Sequence, residues 1–161
     1  MAILPFQASA NACRADIDSL NGLTFAIQNV GSGKDLRPFN ASREEGNAIV
    51  LYNHHWWQCL TWRFTEISAG HFELSNVYTG KLLHVDISSA GMGTIIQRTG
   101  SPSSLSWEMV PQPGEVWGIR LSGTRLFITI TSVEKNAPVT LSPFINSDSQ
   151  KWRFIPQHPW L

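Results

Sequence analysis

Leu60-Thr61-Trp62-Arg63-Phe64, Leu105-Ser106-Trp107-Glu108-Met109 and Gln150-Lys151-Trp152-Arg153-Phe154 share one pattern, and their tryptophans stand 45 residues apart (62 to 107, 107 to 152). Self-similarity at a fixed period is the signature of a repeat architecture. Two further features recur with it. One is a glycine-centred turn: Ser32-Gly33-Lys34-Asp35-Leu36, Thr79-Gly80-Lys81-Leu82-Leu83 and Ser122-Gly123-Thr124-Arg125-Leu126. The other is an apolar run that follows each turn: Ala48-Ile49-Val50-Leu51-Tyr52, Thr94-Ile95-Ile96-Gln97-Arg98 and Ala137-Pro138-Val139-Thr140-Leu141.

Each repeat therefore holds four short apolar runs. They lie near 23–28, 34–37, 48–52 and 60–65, then 71–76, 81–85, 94–98 and 105–110, then 115–121, 125–130, 137–141 and 150–155. Runs of this length, rich in β-branched and aromatic residues and bounded by Gly, Ser, Asn and Pro, read as strands. No helical period is sustained after residue 22, and residues 12–20 are expected to form a short helical turn. One repeat cannot bury its own apolar face, so three must close around a single core and remove the exposed edges. The expected fold is all-β: a β-trefoil of twelve short strands in three pseudo-symmetric repeats. Residues 1–20 form an N-terminal extension and 21–157 the trefoil domain, with repeats at about 22–67, 68–112 and 113–157. A Trp at one place in every repeat is a core wedge that buries a large apolar area and satisfies its indole N–H locally. Trp62, Trp107 and Trp152 thus diagnose the fold and are not a binding site.

Composition narrows the function. The 161 residues carry 12 Lys+Arg against 12 Asp+Glu, a net charge of zero, which argues against a nucleic-acid or anionic-membrane partner. Charged residues make up only 15% and aromatics 11%, with seven Trp, which is not the composition of a disordered chain. Cys13 and Cys59 allow one bridge at most and have no zinc-ligand spacing. No apolar run reaches the roughly 18 residues of a spanning helix. The opening Met-Ala-Ile-Leu-Pro-Phe-Gln lacks the basic region of a signal peptide, so a cytoplasmic protein is expected, or one released without such a signal.

The turn, the strand and the Trp segment together resemble the ricin-type β-trefoil lectins, whose repeats carry Gly-Lys-x-Leu, then Val-x-Leu-aromatic, then Gln-x-Trp. The resemblance covers roughly 23–157. It implies a carbohydrate-binding protein with shallow pockets on the repeats, and no catalytic activity. In that family a carboxylate directly after the Leu of the turn accepts hydrogen bonds from sugar hydroxyls. Counted from the glycine, Arg37, His84 and Phe127 stand there in this chain. The family's stacking aromatic closes the following strand, where this chain has Tyr52, Arg98 and Ser142. Gln-x-Trp is complete only at Gln150-Lys151-Trp152; the other repeats have Leu60 and Leu105. The galactose site of the family is absent as written.

The first repeat offers a site nevertheless. Tyr52-Asn53-His54-His55-Trp56-Trp57-Gln58 puts aromatic rings, imidazoles and amides into one loop. A sugar needs an aromatic face for its C–H surface and planar polar groups for its hydroxyls. Tyr52 and one of Trp56 or Trp57 are the expected platform, with Asp35, Arg37, Asn53 and His54 as polar partners. Adjacent residues of extended chain point to opposite sides, so only one of the two tryptophans is expected to be exposed. The competing reading has Trp56 and Trp57 covering the barrel's open end or packing on the N-terminal extension. In the second repeat, His84 and Asp86 share one strand face, and Arg98 is expected opposite, as a polar sugar or anion pocket. The third repeat reads as closed to polar ligands.

Other motifs carry less. Gly31-Ser32-Gly33-Lys34-Asp35 lacks both the upstream Gly and the Ser/Thr of a phosphate loop. His54 and His55 are adjacent and cannot both chelate one metal from extended chain, so no metal or cofactor is expected. No Gly-x-Ser-x-Gly elbow is present, and nothing else supports an enzyme. Glycans or glycoproteins are the implied partners, each site binding weakly and gaining from several sites or from homodimerisation. The alternative is a protein-interaction trefoil, inhibiting a protease or binding a receptor through a protruding loop such as Ser42-Arg43-Glu44-Glu45-Gly46.

Overall fold

The computed structural model describes residues 17–86, 93–100 and 105–160. Twelve strands follow in order: β1 (Thr24–Asn29), β2 (Asp35–Pro38), β3 (Ile49–Tyr52), β4 (Trp62–Ser68), β5 (His71–Asn76), β6 (Leu82–Asp86), β7 (Thr94–Arg98), β8 (Trp107–Gln112), β9 (Val116–Leu121), β10 (Leu126–Ile130), β11 (Val139–Pro143) and β12 (Trp152–Pro156). Six of them close a barrel: β1 pairs with β4, β4 with β5, β5 with β8, β8 with β9, β9 with β12, and β12 returns to β1. The other six form three hairpins, β2–β3, β6–β7 and β10–β11. The hairpins touch one another at Ala48–Ile96, Val50–Pro138 and Thr140–Thr94, so they cap one end of the barrel as a triangle. This is the β-trefoil. Residues 17–19 form a helical turn; the rest of the helical stretch expected at 12–20, and Cys13, fall outside the described residues.

The core follows from period-two alternation. Ile27, Leu36, Leu51, Phe64, Phe72, Leu74, Leu83, Ile119 and Ile128 are fully buried along the strands, around Trp62, Trp107 and Trp152. Each of these indoles donates its N–H to a hairpin carbonyl: Trp62 to Leu36 O at 3.0 Å, Trp107 to Leu83 O at 3.1 Å and Trp152 to Ile128 O at 3.1 Å. One bond, used three times, ties the barrel to its cap.

That bond also corrects the register of the third repeat. Ile128, not Leu126, is the partner of Leu36 and Leu83. Thr129 therefore stands where Arg37 and His84 stand, and Phe127 matches Asp35. The strand pairings agree, since Asp35 lies opposite Tyr52, Leu82 opposite Arg98 and Phe127 opposite Ser142. The cause is a different turn. In the first two repeats an Asn side chain builds it: Asn29 Oδ1 accepts from Ser32 N, and Asn76 Oδ1 accepts from Tyr78 N and Thr79 N. Gly33 and Gly80 then take positive φ, +69° and +73°, which costs glycine no Cβ clash. The third repeat has Leu121 in place of that Asn. Its turn is held by Thr124, which donates to Leu121 O, and its glycine falls two residues earlier in the turn.

Candidate functional site

Strand β2 alternates, so Asp35 and Arg37 leave it on one side while Leu36 enters the core. Tyr52, directly opposite Asp35 on β3, projects to the same side. Asp35 has no exposed surface. His54 Nδ1 lies 2.6 Å from its Oδ2 and Gln28 Nε2 3.2 Å from its Oδ1. Its carboxylate is thus consumed inside the protein, and the sequence-predicted sugar acceptor is a fastener for the 53–57 loop instead. Burial raises the Asp35 carboxyl above its usual range, while the His54 hydrogen bond and charge work against that rise.

A pH dependence follows. The folded carboxyl holds its proton more tightly than the unfolded one, so ionising it opposes folding. Any stability from this group is present below the unfolded pKa and is lost as pH rises through the raised folded value. Asp35→Asn removes the titration and keeps the volume. The melting temperature of the variant minus that of the parent is expected to lie near zero in acid and to grow positive toward neutral pH. Thermal unfolding across that range checks it; a difference flat with pH would contradict the assignment.

Arg37 is buried, with 8% of its surface exposed. Its Cζ sits 3.6 Å from the centre of the Tyr52 ring. Among the described residues its Nε has no hydrogen-bond partner. Burial pushes the pKa of the Cys59 thiol up, and the charge of the nearby Arg37 guanidinium pulls against that rise. Lys135 Nζ lies 5.7 Å from the same Tyr52 ring.

Trp57 stacks on His55, with centroids 4.0 Å apart and planes 12° apart, and lies 6.3 Å from Tyr52. Trp56 and Trp57 are both exposed, at 52% and 37%. The expectation of a single exposed tryptophan fails because residues 53–57 do not continue β3. The chain turns there and re-enters order at Gln58–Leu60, where Leu60 N donates to Trp57 O. Strand alternation does not hold across such a turn. Asn53 is exposed beside His54. Across from Trp57, a cavity of about 250 Å³ is lined by Ala41, Cys59 and Tyr78. The guanidinium of Arg43 lies 4.0 Å over the Tyr78 ring.

Tyr78 is not singled out by the sequence, and His55, Cys59 and Arg43 are read there without a named role in the sugar pocket. Tyr78 reaches this site from the second repeat, because Val77 N donates to Thr61 O and Asn76 Nδ2 to Cys59 O. The one available signal was an aromatic residue inside the second glycine turn.

The second-repeat trio is not assembled into one pocket. His84 pairs with Ile96, Asp86 with Thr94 and Arg98 with Leu82, so Asp86 and Arg98 lie at opposite ends of the hairpin. Four residues of strand separate them, about 13 Å. His84 turns onto its own backbone, its Nδ1 accepting from Val85 N at 2.9 Å.

In the third repeat Gln150 fills the place beside Thr129 and Ser142. Its Nε2 donates to Thr129 Oγ1, Ser142 Oγ and Pro143 O, and its Oε1 accepts from Ile145 N. That position is filled by the protein's own side chain. Beside it lies a roomier space that was not foreseen, a cavity of about 480 Å³ lined by Val110, Phe127, Pro143 and Phe144, with Gln112, Arg120 and Arg125 among its walls. Arg120 is ion-paired with Glu108, and its guanidinium lies 5.8 Å from the centre of the Phe127 ring. The first-repeat site is smaller but joins exposed indoles to a buried cation that has no ion pair among the described residues, and it is the stronger candidate.

The Ser42–Gly46 loop is not a free arm. Gln97 Nε2 donates to Ser42 O and Glu44 O, Gly46 N donates to Gln97 O, and Glu45 accepts from Thr99. Among the described residues no group of three or more His, Cys, Asp or Glu is placed to hold a metal.

The model of the ricin-type beta-trefoil lectin domain-like family matches residues 16–99. No curated protein matches the chain by sequence. Among solved structures, the designed threefold-symmetric protein ThreeFoil superposes with a TM-score of 0.77 at 22% identity, over 82% of this chain and 97% of that one. The Rhizoctonia solani agglutinin gives 0.74 at 20%, over 84% and 96%. The Macrolepiota procera ricin B-like lectin, solved with lactose, gives 0.73 at 18%, over 84% and 96%. At these identities the likeness is one of fold.

Proposed function

Because this chain belongs to the ricin-type β-trefoil lectin domain-like family, we propose that it is a carbohydrate-binding protein without catalytic activity, and that its glycan site is in the first repeat. One observation carries the placement: Tyr52, His55 and Trp57 form a contiguous aromatic surface, partly open to solvent, at the edge of a cavity. An indole face matches the C–H face of a pyranose, and the family's relative solved with lactose supports a sugar as the ligand class.

The polar partners are redistributed relative to the sequence expectation. Asp35 holds His54 by its Nδ1, which leaves the imidazole Nε2 of that part-exposed ring, the Asn53 amide and the exposed Trp56 indole N–H for hydroxyls. In the second repeat, His84, Asp86 and Arg98 make at most a secondary contact.

The test is a glycan array followed by titration of the best ligand. Trp57→Ala is expected to weaken binding about 10-fold or more, the size of a stacking contact of roughly 1–1.5 kcal/mol. Its melting temperature should stay within a few degrees, since Trp57 lies outside the core cluster. A large loss of stability with unchanged binding would make the tryptophan loop a plug. A blank array with folded protein would remove the carbohydrate reading and point to a protein partner, which free monosaccharides would not displace.

A further inference from the structure

Arg37 poses an energetic problem. It is a guanidinium buried to 8% exposure and, among the described residues, it forms no ion pair. Its Nε donates to nothing among them. The nearest carboxylate along the strand, Asp35, is bonded to His54 and Gln28. The Tyr52 ring offsets part of the cost through a cation–π contact. Leaving a charge buried without its counter-charge is among the costlier arrangements a fold can keep.

The guanidinium does not face a sealed core. It lies against the Tyr52 ring, which is 6.3 Å from Trp57, and Trp57 lines the cavity with Cys59 and Tyr78. Arg43 lies over Tyr78 at that cavity, and Lys135 over Tyr52. Three cations thus lie over two aromatic rings of this site. Arg37 also occupies the strand position where the family resemblance implies a carboxylate, so the sign of the site is reversed.

We propose that Arg37 is the anion-recognising group of the first-repeat site and that its ligand is an acidic glycan, a sugar ring carrying a carboxylate or a sulfate. This rests on the carbohydrate reading above and names its ligand class. The ring stacks on Trp57, and the acid group pairs with Arg37, whose planar fork suits an oxyanion bidentately. Neutral sugars gain the stacking but leave the guanidinium without an anion.

The experiment titrates the full chain with four probes: lactose, a methyl glucuronide, a sulfated galactoside and inorganic sulfate. It repeats the titrations with Arg37→Gln, Arg37→Met and Trp57→Ala, following thermal unfolding of each variant. The acidic sugars are expected to bind at least 10-fold tighter than lactose, in a salt-sensitive manner, and comparison of the two distinguishes carboxylate from sulfate. Both Arg37 variants should erase that preference. Arg37→Met should be at least as heat-stable as the parent, because it removes an unpaired buried charge. Equal, Trp57-dependent binding of lactose and the acidic sugars overturns this inference and leaves the carbohydrate reading standing. No binding of any sugar removes both. Inorganic sulfate competing as well as the sulfated galactoside overturns the glycan assignment in favour of a simple anion hole. Should the Arg37 variants fail to fold, the parent's own acidic preference and its loss in high salt decide the question.

Discussion

Trp152→Ala is expected to lower the unfolding free energy by about 3–5 kcal/mol, the range for deleting a large aromatic from a packed core. In a chain of this length each kcal/mol moves the melting temperature by roughly 2–4 °C, so the loss should exceed about 6 °C. Two effects add. The indole is fully buried among the strands, and its N–H satisfies Ile128 O across the barrel–cap junction. Trp152→Phe separates them. It keeps most of the apolar volume and leaves the carbonyl without its donor, and should cost about 1–3 kcal/mol. Urea unfolding of both variants checks the division. The same pair at Trp62 and Trp107 should behave alike, because the bonds to Leu36 O and Leu83 O are equivalent. A tolerated Trp152→Ala would refute the wedge.

Gln150→Leu gives the second large effect, and it runs against what an alignment of the repeats suggests. Leu60 and Leu105 stand at the corresponding positions, so the change looks harmless. Yet Gln150 is almost wholly buried and bonds Thr129, Ser142, Pro143 and the backbone N–H of Ile145. Leucine abandons all four. With the Ile145 N–H stripped of its partner and the Pro143 carbonyl left to the Ser142 hydroxyl alone, about 2–4 kcal/mol should be lost. Chemical unfolding measures it, and hydrogen exchange at Ile145 should accelerate first. A neutral result would mean that the 143–147 segment is held by something other than this side chain.

The contrast shows what could be read from residues alone. Trp spacing and alternating apolar runs belong to the core, and the core repeats because all three copies must fill one closed barrel. That layer was legible down to the twelve strands. The surface layer diverges. Asn29 and Asn76 build one turn by a side-chain bond, whereas Leu121 forces another, and aligning glycines then misplaces Thr129 and Phe127 by two residues. The site was legible as a set of residue types in 52–58 but not as an arrangement. Asp35 looked like an acceptor and proved to be bonded to His54. Tyr78 and Arg43 arrive from segments distant in sequence, which no local pattern announces. Arg98 and Asp86 share a face, yet register sets them at opposite hairpin ends.

The pairing of β1 with β12 has a kinetic consequence. Phe25 lies opposite Pro156 and Thr24 Oγ1 donates to Gln157 O, so the barrel shuts by joining residues more than a hundred positions apart. The hairpins β2–β3, β6–β7 and β10–β11 each close over short loops and can form within microseconds. The closing seam pays the chain entropy of nearly the whole domain before it gains a contact, which places this fold among the slow, high-contact-order folders. Trp62 and Trp152 flank that seam, so their packing matures with the last and most expensive loop to be closed.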